Sequence, residues 1–165
     1  WEFVADLGLP HPVEHYSARY DDAILEQYKK EAEALPGALS VVTALREAGV
    51  PLALCSSSRR LWVDAALERI GLAGKFDTIT AGNDVTEGKP APDIYLAAAM
   101  AIGKPPEKCL AIEDAPAGIA SAKAAGMTCW AVLTEYTRGL DLGSPDAILE
   151  SLEYINLSDI IGVPA

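Results

Sequence analysis

The sequence has few positive charges for its length. Its 165 residues include 13 Lys and Arg against 24 Asp and Glu, so the formal net charge at pH 7 is −11. A surface that binds nucleic acid or an anionic membrane needs a basic patch, and this balance argues against both kinds of partner. The negative net charge does not exclude a phosphate ligand, because a single local cation is enough to bind a phosphate group.

Cysteines and long apolar runs are also scarce. Cys55, Cys109 and Cys129 show no paired spacing, so neither a disulfide framework nor a zinc-binding pattern is indicated. We expect them to be buried free thiols in strands of a protein of the reducing cytoplasm. No apolar run approaches the roughly 20 residues that span a membrane, and no secretory signal is visible. Without a P-loop or a glycine-rich dinucleotide fingerprint, nothing supports nucleotide binding.

What the sequence does contain is an alternation of apolar runs and helical patterns. Residues 13–35 repeat apolar side chains at helical spacing until Pro36-Gly37 interrupts the pattern. Beyond this point, strands are predicted at 50–55, 76–81, 109–112, 128–132 and 147–149, with helices between the first four. Strands that alternate with helices predict an α/β fold with a Rossmann-like, three-layer parallel sheet. We place a domain boundary between residues 1–35 and residues 36–165.

Polar side chains follow three of these strands. Ser56 and Ser57 come after the first, Lys89 lies in the loop after the second, and Glu113 and Asp114 come directly after the third. The carboxyl ends of parallel strands share one edge of a sheet, where ligands bind, so we expect these residues to face one crevice. Adjacent carboxylates repel each other, and a bound cation such as Mg²⁺ would compensate them. A hydroxyl, a cation and an acidic pair are suited to phosphoryl transfer.

Each residue also has a plainer interpretation. The acidic pair could cap the following helix and interact with its positive end. Ser57 or Ser58 could be an N-cap, and Lys89 a solvated loop residue held between a glycine and Pro90. Only the expected convergence of all these side chains on one crevice favours a phosphate-binding site over these plainer interpretations.

Three stretches resemble signature motifs of the haloacid dehalogenase superfamily. They are Leu54-Cys55-Ser56-Ser57-Ser58, Gly88-Lys89-Pro90-Ala91-Pro92-Asp93-Ile94-Tyr95 and Ile112-Glu113-Asp114-Ala115-Pro116-Ala117-Gly118. They are similar to the second, third and fourth motifs, in the correct order, and the resemblance is strongest to the branch of beta-phosphoglucomutases and related sugar-phosphate phosphatases.

The resemblance implies a Mg²⁺-dependent phosphatase that acts on a small phosphorylated metabolite, or alternatively a beta-phosphoglucomutase-type isomerase. Ser56, with Ser57 and the neighbouring backbone, would hold the phosphoryl group, and Lys89 would neutralise it. Asp114 would bind Mg²⁺ directly, and Glu113 directly or through water. Residues 1–35 would be part of a helical cap, and residues 36–165 the core.

One expected motif is missing from this sequence. The family's Asp-x-Asp-x-Thr, which carries the aspartate nucleophile at the end of the first strand, is absent, so the chain as written has no nucleophile for an aspartyl-phosphate. Together with the start at Trp1, this leads us to expect a truncated or proteolysed chain, a front part not represented in the sequence, or a degenerate gene product. A non-catalytic phosphate-binding or interaction module is therefore a further alternative.

The missing strand would also leave a gap in the sheet. By the resemblance it lies between the strand that ends at Ser56 and the strand that ends at Glu113. We expect one of three outcomes: the two strands pair directly, a second copy supplies a strand in a homo-oligomer, or a separate N-terminal segment completes the sheet.

Overall fold

The computed structural model describes residues 10–161 as helices on both sides of parallel strands. The sequence also predicts the end of a helix at Trp1–Leu7, and this prediction lies outside the described residues. The helices are α1 (Val13–Glu31), α2 (Ala38–Glu47), α3 (Arg60–Arg69), α4 (Asp93–Ala101), α5 (Pro116–Ala124) and α6 (Leu157–Ile161). The strands are β1 (Ala53–Ser56), β2 (Thr78–Ala81), β3 (Leu110–Glu113), β4 (Thr128–Val132) and β5 (Ala147–Leu149), and short 3₁₀ turns lie at Pro106–Lys108 and Leu152–Tyr154.

All strand pairs in the described part of the chain are parallel, and they form two separate groups. β1 pairs with β2, whereas β3 pairs with β4 and β4 with β5. Between residues 10 and 161, β1 and β3 therefore do not pair with each other, and each has one edge without a neighbouring strand. Direct pairing, the first of the three expected outcomes, is not what the structure shows.

Helices cover both faces of β1, as expected for three layers. Successive side chains of a strand point to opposite faces. Cys55 packs with Ile94 and Tyr95 of α4 in the larger core cluster, whereas Leu54 packs with Val63 and other residues of α3 in a smaller one. The predicted three-layer α/β architecture is confirmed.

Aspartates fix the sheet at the ends of strands. Asp77, just before β2, accepts the Leu52 N–H at 2.8 Å and an Arg46 guanidinium hydrogen bond at 2.6 Å, which together lower the pKa of its carboxyl. Asp146, just before β5, bonds Lys123 and accepts the Cys129 N–H at 2.7 Å, with the same effect on its pKa. Each carboxylate thus bonds both the backbone of a neighbouring chain segment and a cation on a helix.

Helix α1, from the first predicted domain, packs against α3 of the second. Arg59 forms an ion pair with Asp21 and lies over the Trp62 ring, with 5.7 Å between its guanidinium carbon and the ring centre. Tyr20 meets the same ring edge to face at 5.8 Å. In the connection between α1 and α2, Gly37 lies directly against the backbone of the 3₁₀ turn at Leu152–Tyr154, since a Cβ on Gly37 would be 2.5 Å from the Glu153 backbone nitrogen. The division at residues 35 and 36 stays a prediction.

Among the described residues, no helix combines the length and the apolar character needed to cross a membrane. Cys55 lies in β1 and Cys129 in β4, as predicted, whereas Cys109 immediately precedes β3. Cys129 is buried, but Cys55 and Cys109 are only partly buried, so the prediction of buried thiols is wrong for these two. All three are free thiols.

Candidate active site

All five predicted site residues line one cavity of about 430 Å³. Cys55 to Ser57 form one wall at the end of β1, and Ile112 to Asp114 another at the end of β3. Lys89 reaches the same space from the loop after β2, and Leu35 and Leu152 contribute apolar surface. The sequence thus correctly predicts that these residues meet, because each follows a parallel strand. Their chemical roles stay predictions.

The serine loop after β1 is shaped by contacts that no sequence pattern predicts. The Ser56 hydroxyl accepts the Ser58 N–H at 3.2 Å. Helix α3 is not capped by Ser57 or Ser58; instead the Asn83 side chain, from the loop after β2, accepts the Arg60 N–H at 2.8 Å. The plainer interpretation of these serines as N-caps is therefore wrong.

Gly82 allows the two loops to lie this close together. Its N–H donates to the Ser58 carbonyl at 2.9 Å, and a Cβ on Gly82 would lie 2.2 Å from the Ser57 carbonyl oxygen. The Gly82-Asn83 pair is the sequence signal for this contact. It reads as an ordinary turn, and only the pairing of β1 with β2 brings it to the serines.

Lys89 and Glu113 form a buried ion pair at the cavity wall. The side chains are 11% and 6% exposed. The Lys89 ammonium donates to Oε1 of Glu113 and also contacts the Cys55 carbonyl at 3.4 Å. Lys89 is therefore not a solvated loop lysine. A buried carboxylate is stable only when it is paired and hydrogen-bonded, and here the cation that compensates Glu113 belongs to the protein itself.

Two further residues hold Glu113. The Tyr95 hydroxyl, from the first turn of α4, donates to the same Oε1. Burial, and next the charge of Glu113, raise the pKa of Tyr95, so this hydroxyl keeps its proton. On the other side lies Gly118 of α5, where a Cβ would be 2.1 Å from Oε2 of Glu113. Both residues stand inside the quoted motifs, but their role depends on the packing of α4 and α5.

Asp114 differs from its neighbour. It lines the cavity, and no residue of the described range 10–161 forms a hydrogen bond or ion pair with its carboxylate, unlike that of Glu113. The same range contains no cluster of three or more His, Cys, Asp or Glu side chains that could bind a metal. Mg²⁺ often keeps several waters and uses one or two carboxylates together with substrate phosphates. The available residues fit that mode, with Asp114 as the protein ligand.

Burial raises the pKa of the Cys55 thiol to about 11, although Lys89 opposes this effect. Cys55 donates to the Ile94 carbonyl at 3.7 Å. At neutral pH it is a protonated core thiol and not a nucleophile.

Comparison with known proteins agrees with this geometry. A family of haloacid dehalogenase-like hydrolases matches residues 2–126. CbbY of Rhodobacter capsulatus is 42% identical over 115 residues, 68% of this chain and 51% of that protein. Hexitol phosphatase A of Escherichia coli is 38% identical over 125 residues, 76% of this chain and 57% of that protein.

The fold similarity extends over nearly the whole chain. A crystal structure of CbbY from Rhodobacter sphaeroides in complex with phosphate has a TM-score of 0.86 and 28% identity, over 93% of this chain and 70% of that one. The chain spans 51% and 62% of two of the curated relatives it matches, CbbY and the putative phosphatase YhcW of Bacillus subtilis. The chain belongs to the haloacid dehalogenase-like hydrolases.

Proposed function

We propose that this protein serves magnesium-dependent phosphoryl transfer from a small phosphorylated metabolite, such as a sugar phosphate, in the cytoplasm. The observation that supports this most is the meeting of Ser56, Lys89 and Asp114 on one cavity at the ends of β1 and β3. A hydrolytic phosphatase is the primary proposal, and a beta-phosphoglucomutase-type isomerase is the alternative.

The phosphoryl group would lie between the serine loop and Lys89. Ser56 and Ser57 offer hydroxyls, and Lys89 offers a cation whose position is fixed by Glu113. Lysine binds phosphate as a point charge with three N–H donors. Contacts with the Cys55 carbonyl and Glu113 use two of them, and the third is available to an anion in the cavity.

Magnesium would be held by Asp114, and it would neutralise charge on the phosphoryl oxygens. Glu113 would contribute through water, since its Oε1 is already bonded to Lys89 and Tyr95.

The nucleophile is the part that this sequence does not supply. We propose that a strand carrying it is added between β1 and β3 from a separate N-terminal segment. A strand from a second copy in a homo-oligomer would fill the same gap, but it would not carry the nucleophile, because the sequence lacks that motif. The facing edges lack strand partners within residues 10–161, and both strand ends line the cavity. All four residues of β1 are partly exposed. Without such a strand, the chain would be a non-catalytic phosphate-binding module.

Phosphate binding tests the site itself. With Mg²⁺ present, calorimetry should detect inorganic phosphate binding, and Ser56→Ala and Ser57→Ala should each weaken it by about 10- to 150-fold, since a hydrogen bond to a charged group contributes about 1.5–3 kcal/mol. Ser144→Ala is a matched control, because Ser144 is exposed and lies outside the cavity. If wild type does not bind phosphate, or if the three variants behave alike, the proposed site is wrong.

Peptide complementation tests the added strand. A synthetic peptide of four apolar residues followed by Asp-x-Asp-x-Thr is mixed with the chain and Mg²⁺, and hydrolysis of p-nitrophenyl phosphate is followed. We expect a higher melting temperature and turnover, whereas the peptide with its first Asp changed to Asn should raise the melting temperature only. A scrambled peptide controls for nonspecific binding. If no peptide changes the melting temperature and light scattering shows a monomer, the strand proposal is wrong.

A further inference from the structure

Tyr95 does not line the cavity, yet its hydroxyl is hydrogen-bonded to Glu113, which does. The cavity wall includes Lys89 and Glu113 but not Tyr95. Tyr95 is only 6% exposed, and its hydroxyl donates to Oε1 of Glu113, the oxygen that also accepts from Lys89. The Lys89 ammonium lies 5.1 Å from the centre of the Tyr95 ring. The tyrosine therefore contacts both members of the ion pair.

We propose that Tyr95 is a positioning residue: its hydroxyl holds the Glu113 carboxylate, and that carboxylate holds the Lys89 ammonium at the cavity wall. The proposal rests on the proposed function, because it assigns Lys89 to bind the phosphoryl group. It adds a residue whose hydroxyl touches neither phosphate nor metal.

The carboxylate needs this hydroxyl because other contacts leave it freedom to move. Lysine has a long flexible stem with costly rotamer entropy, and a partner that can itself rotate would not fix it. Gly118 blocks one side of Glu113 without bonding it, because a Cβ there would lie within 2.5 Å of both carboxylate oxygens. Tyr95 supplies a directional hydrogen bond from the neighbouring helix, α4. Two chain segments thus hold one carboxylate in place.

The hydroxyl is suited to this role over a wide pH range. A tyrosine that ionised near a buried carboxylate would repel it. Burial and the charge of Glu113 raise the pKa of Tyr95, which favours its protonated, donating form. The ring in addition offers its face to the ammonium, a favourable cation–π arrangement.

The plain alternative is that Tyr95 only fills the core, where it packs with Ile94 and Ala111. Tyr95→Phe separates the two roles, because it keeps the ring, the packing and the cation–π contact and removes only the hydroxyl. Tyr154→Phe is the matched control, since Tyr154 is 67% exposed and outside the cavity.

Two measurements are made on folded wild type, Tyr95→Phe and Tyr154→Phe. The first is the ¹⁵N–¹H signal of the Lys89 ammonium, assigned with Lys89→Arg, in the absence of ligand. Buried, bonded ammonium groups exchange protons slowly with water, so we expect a sharp signal in wild type and in Tyr154→Phe and a broadened or lost one in Tyr95→Phe. The second is the dissociation constant of inorganic phosphate with Mg²⁺, which should rise about three- to tenfold in Tyr95→Phe only.

The outcomes are distinguishable. A broadened Lys89 signal in Tyr95→Phe supports the positioning role even if wild type binds no phosphate, in which case the proposed function alone is overturned. If phosphate binds to wild type and Tyr95→Phe changes neither measurement, the positioning role is overturned and the proposed function stands. Circular dichroism at the same temperature verifies that each variant is folded.

Discussion

Replacing Gly118 by alanine measures how firmly the Glu113 carboxylate is held. The new methyl carbon would lie 2.1 Å from Oε2, 2.2 Å from Cδ and 2.5 Å from Oε1 of Glu113. These distances are far inside van der Waals contact, so the carboxylate or helix α5 must move. Since Glu113 is bonded to Lys89 and Tyr95, any movement of the carboxylate disturbs both contacts.

The expected cost follows from opposing effects. Alanine favours a helix over glycine by at most about 1 kcal/mol. Overpacking a well-filled site costs about 1–3 kcal/mol, and breaking a buried ion pair costs about 3–5 kcal/mol. Because the clash falls on the Glu113 carboxylate itself, the cost of breaking the ion pair applies, less the gain from replacing glycine in a helix. We expect Gly118→Ala to lower the free energy of unfolding by about 2–4 kcal/mol, with a fall in melting temperature of roughly 5–15 °C.

Urea and thermal unfolding followed by circular dichroism provide the measurement. Gly88→Ala is the control, because Gly88 also has no positive φ and a Cβ there meets nothing within 4 Å; its effect should stay within about 0.5 kcal/mol. In a Glu113→Ala background, where the carboxylate is gone, Gly118→Ala should cost little or nothing. The reasoning is refuted if Gly118→Ala is as stable as wild type, or if its cost is the same in both backgrounds.

Three further predictions use other groups. The pKa values of Asp77 and Asp146 are lowered, so the hydrogen bonds of their carboxylates stabilise the fold above pH 3.8, the ordinary value, and this stabilisation is lost as the pH falls further. The double variant with both aspartates changed to asparagine should therefore lose less stability than wild type between about pH 5 and pH 2. Unfolding followed by circular dichroism measures this difference. The thiols of Cys55 and Cys129, with their pKa raised by burial to about 11, should be about 0.1% ionised at pH 8, so iodoacetamide should label them only after unfolding, and mass spectrometry of native and unfolded protein measures this. Without an added strand, the chain with Mg²⁺ should hydrolyse p-nitrophenyl phosphate no faster than Asp114→Ala, and a rate that this substitution abolishes would show that another group attacks.

The parts of the fold that the sequence predicts are those set by local patterns. Apolar runs predict β1 to β5 within a few residues of the observed bounds, and helices α3 and α5 end just before Gly71 and Gly126, both of which have a positive φ. The convergence of the site also follows from a simple rule, since parallel strands place their carboxyl ends at one edge. Local pattern and topology were sufficient to find the cavity.

What the sequence could not give depends on contacts between distant segments. Asn83 binds the Arg60 N–H across the β1–β2 pair, and no spacing rule connects these two residues. Tyr95 lies inside a recognised motif, but an apolar position in the first turn of a helix looks the same whether its hydroxyl is bonded or not. In the sequence, Gly118 is only a glycine that lowers the propensity of its helix. The structure shows that the Glu113 carboxylate occupies the space that a Cβ on Gly118 would need.

The acidic pair shows most clearly how the structure changes the chemistry of a motif. In the sequence, Glu113 and Asp114 are two adjacent charges that a bound cation would compensate, and only the family resemblance gives them different roles. In the structure both residues line the cavity, but the Glu113 side chain, at the end of β3, is buried and neutralised by Lys89, whereas the Asp114 carboxylate, just beyond the strand, has no hydrogen-bond or ion-pair partner among residues 10–161. The described part of the cavity therefore offers a metal one free carboxylate, and Lys89 with Glu113 contributes no net charge. A single carboxylate holds Mg²⁺ weakly, because the ion gives up its waters reluctantly. A second carboxylate on a strand between β1 and β3 would supply both the missing charge and the missing nucleophile, which is why the proposed metal site and the proposed strand depend on each other.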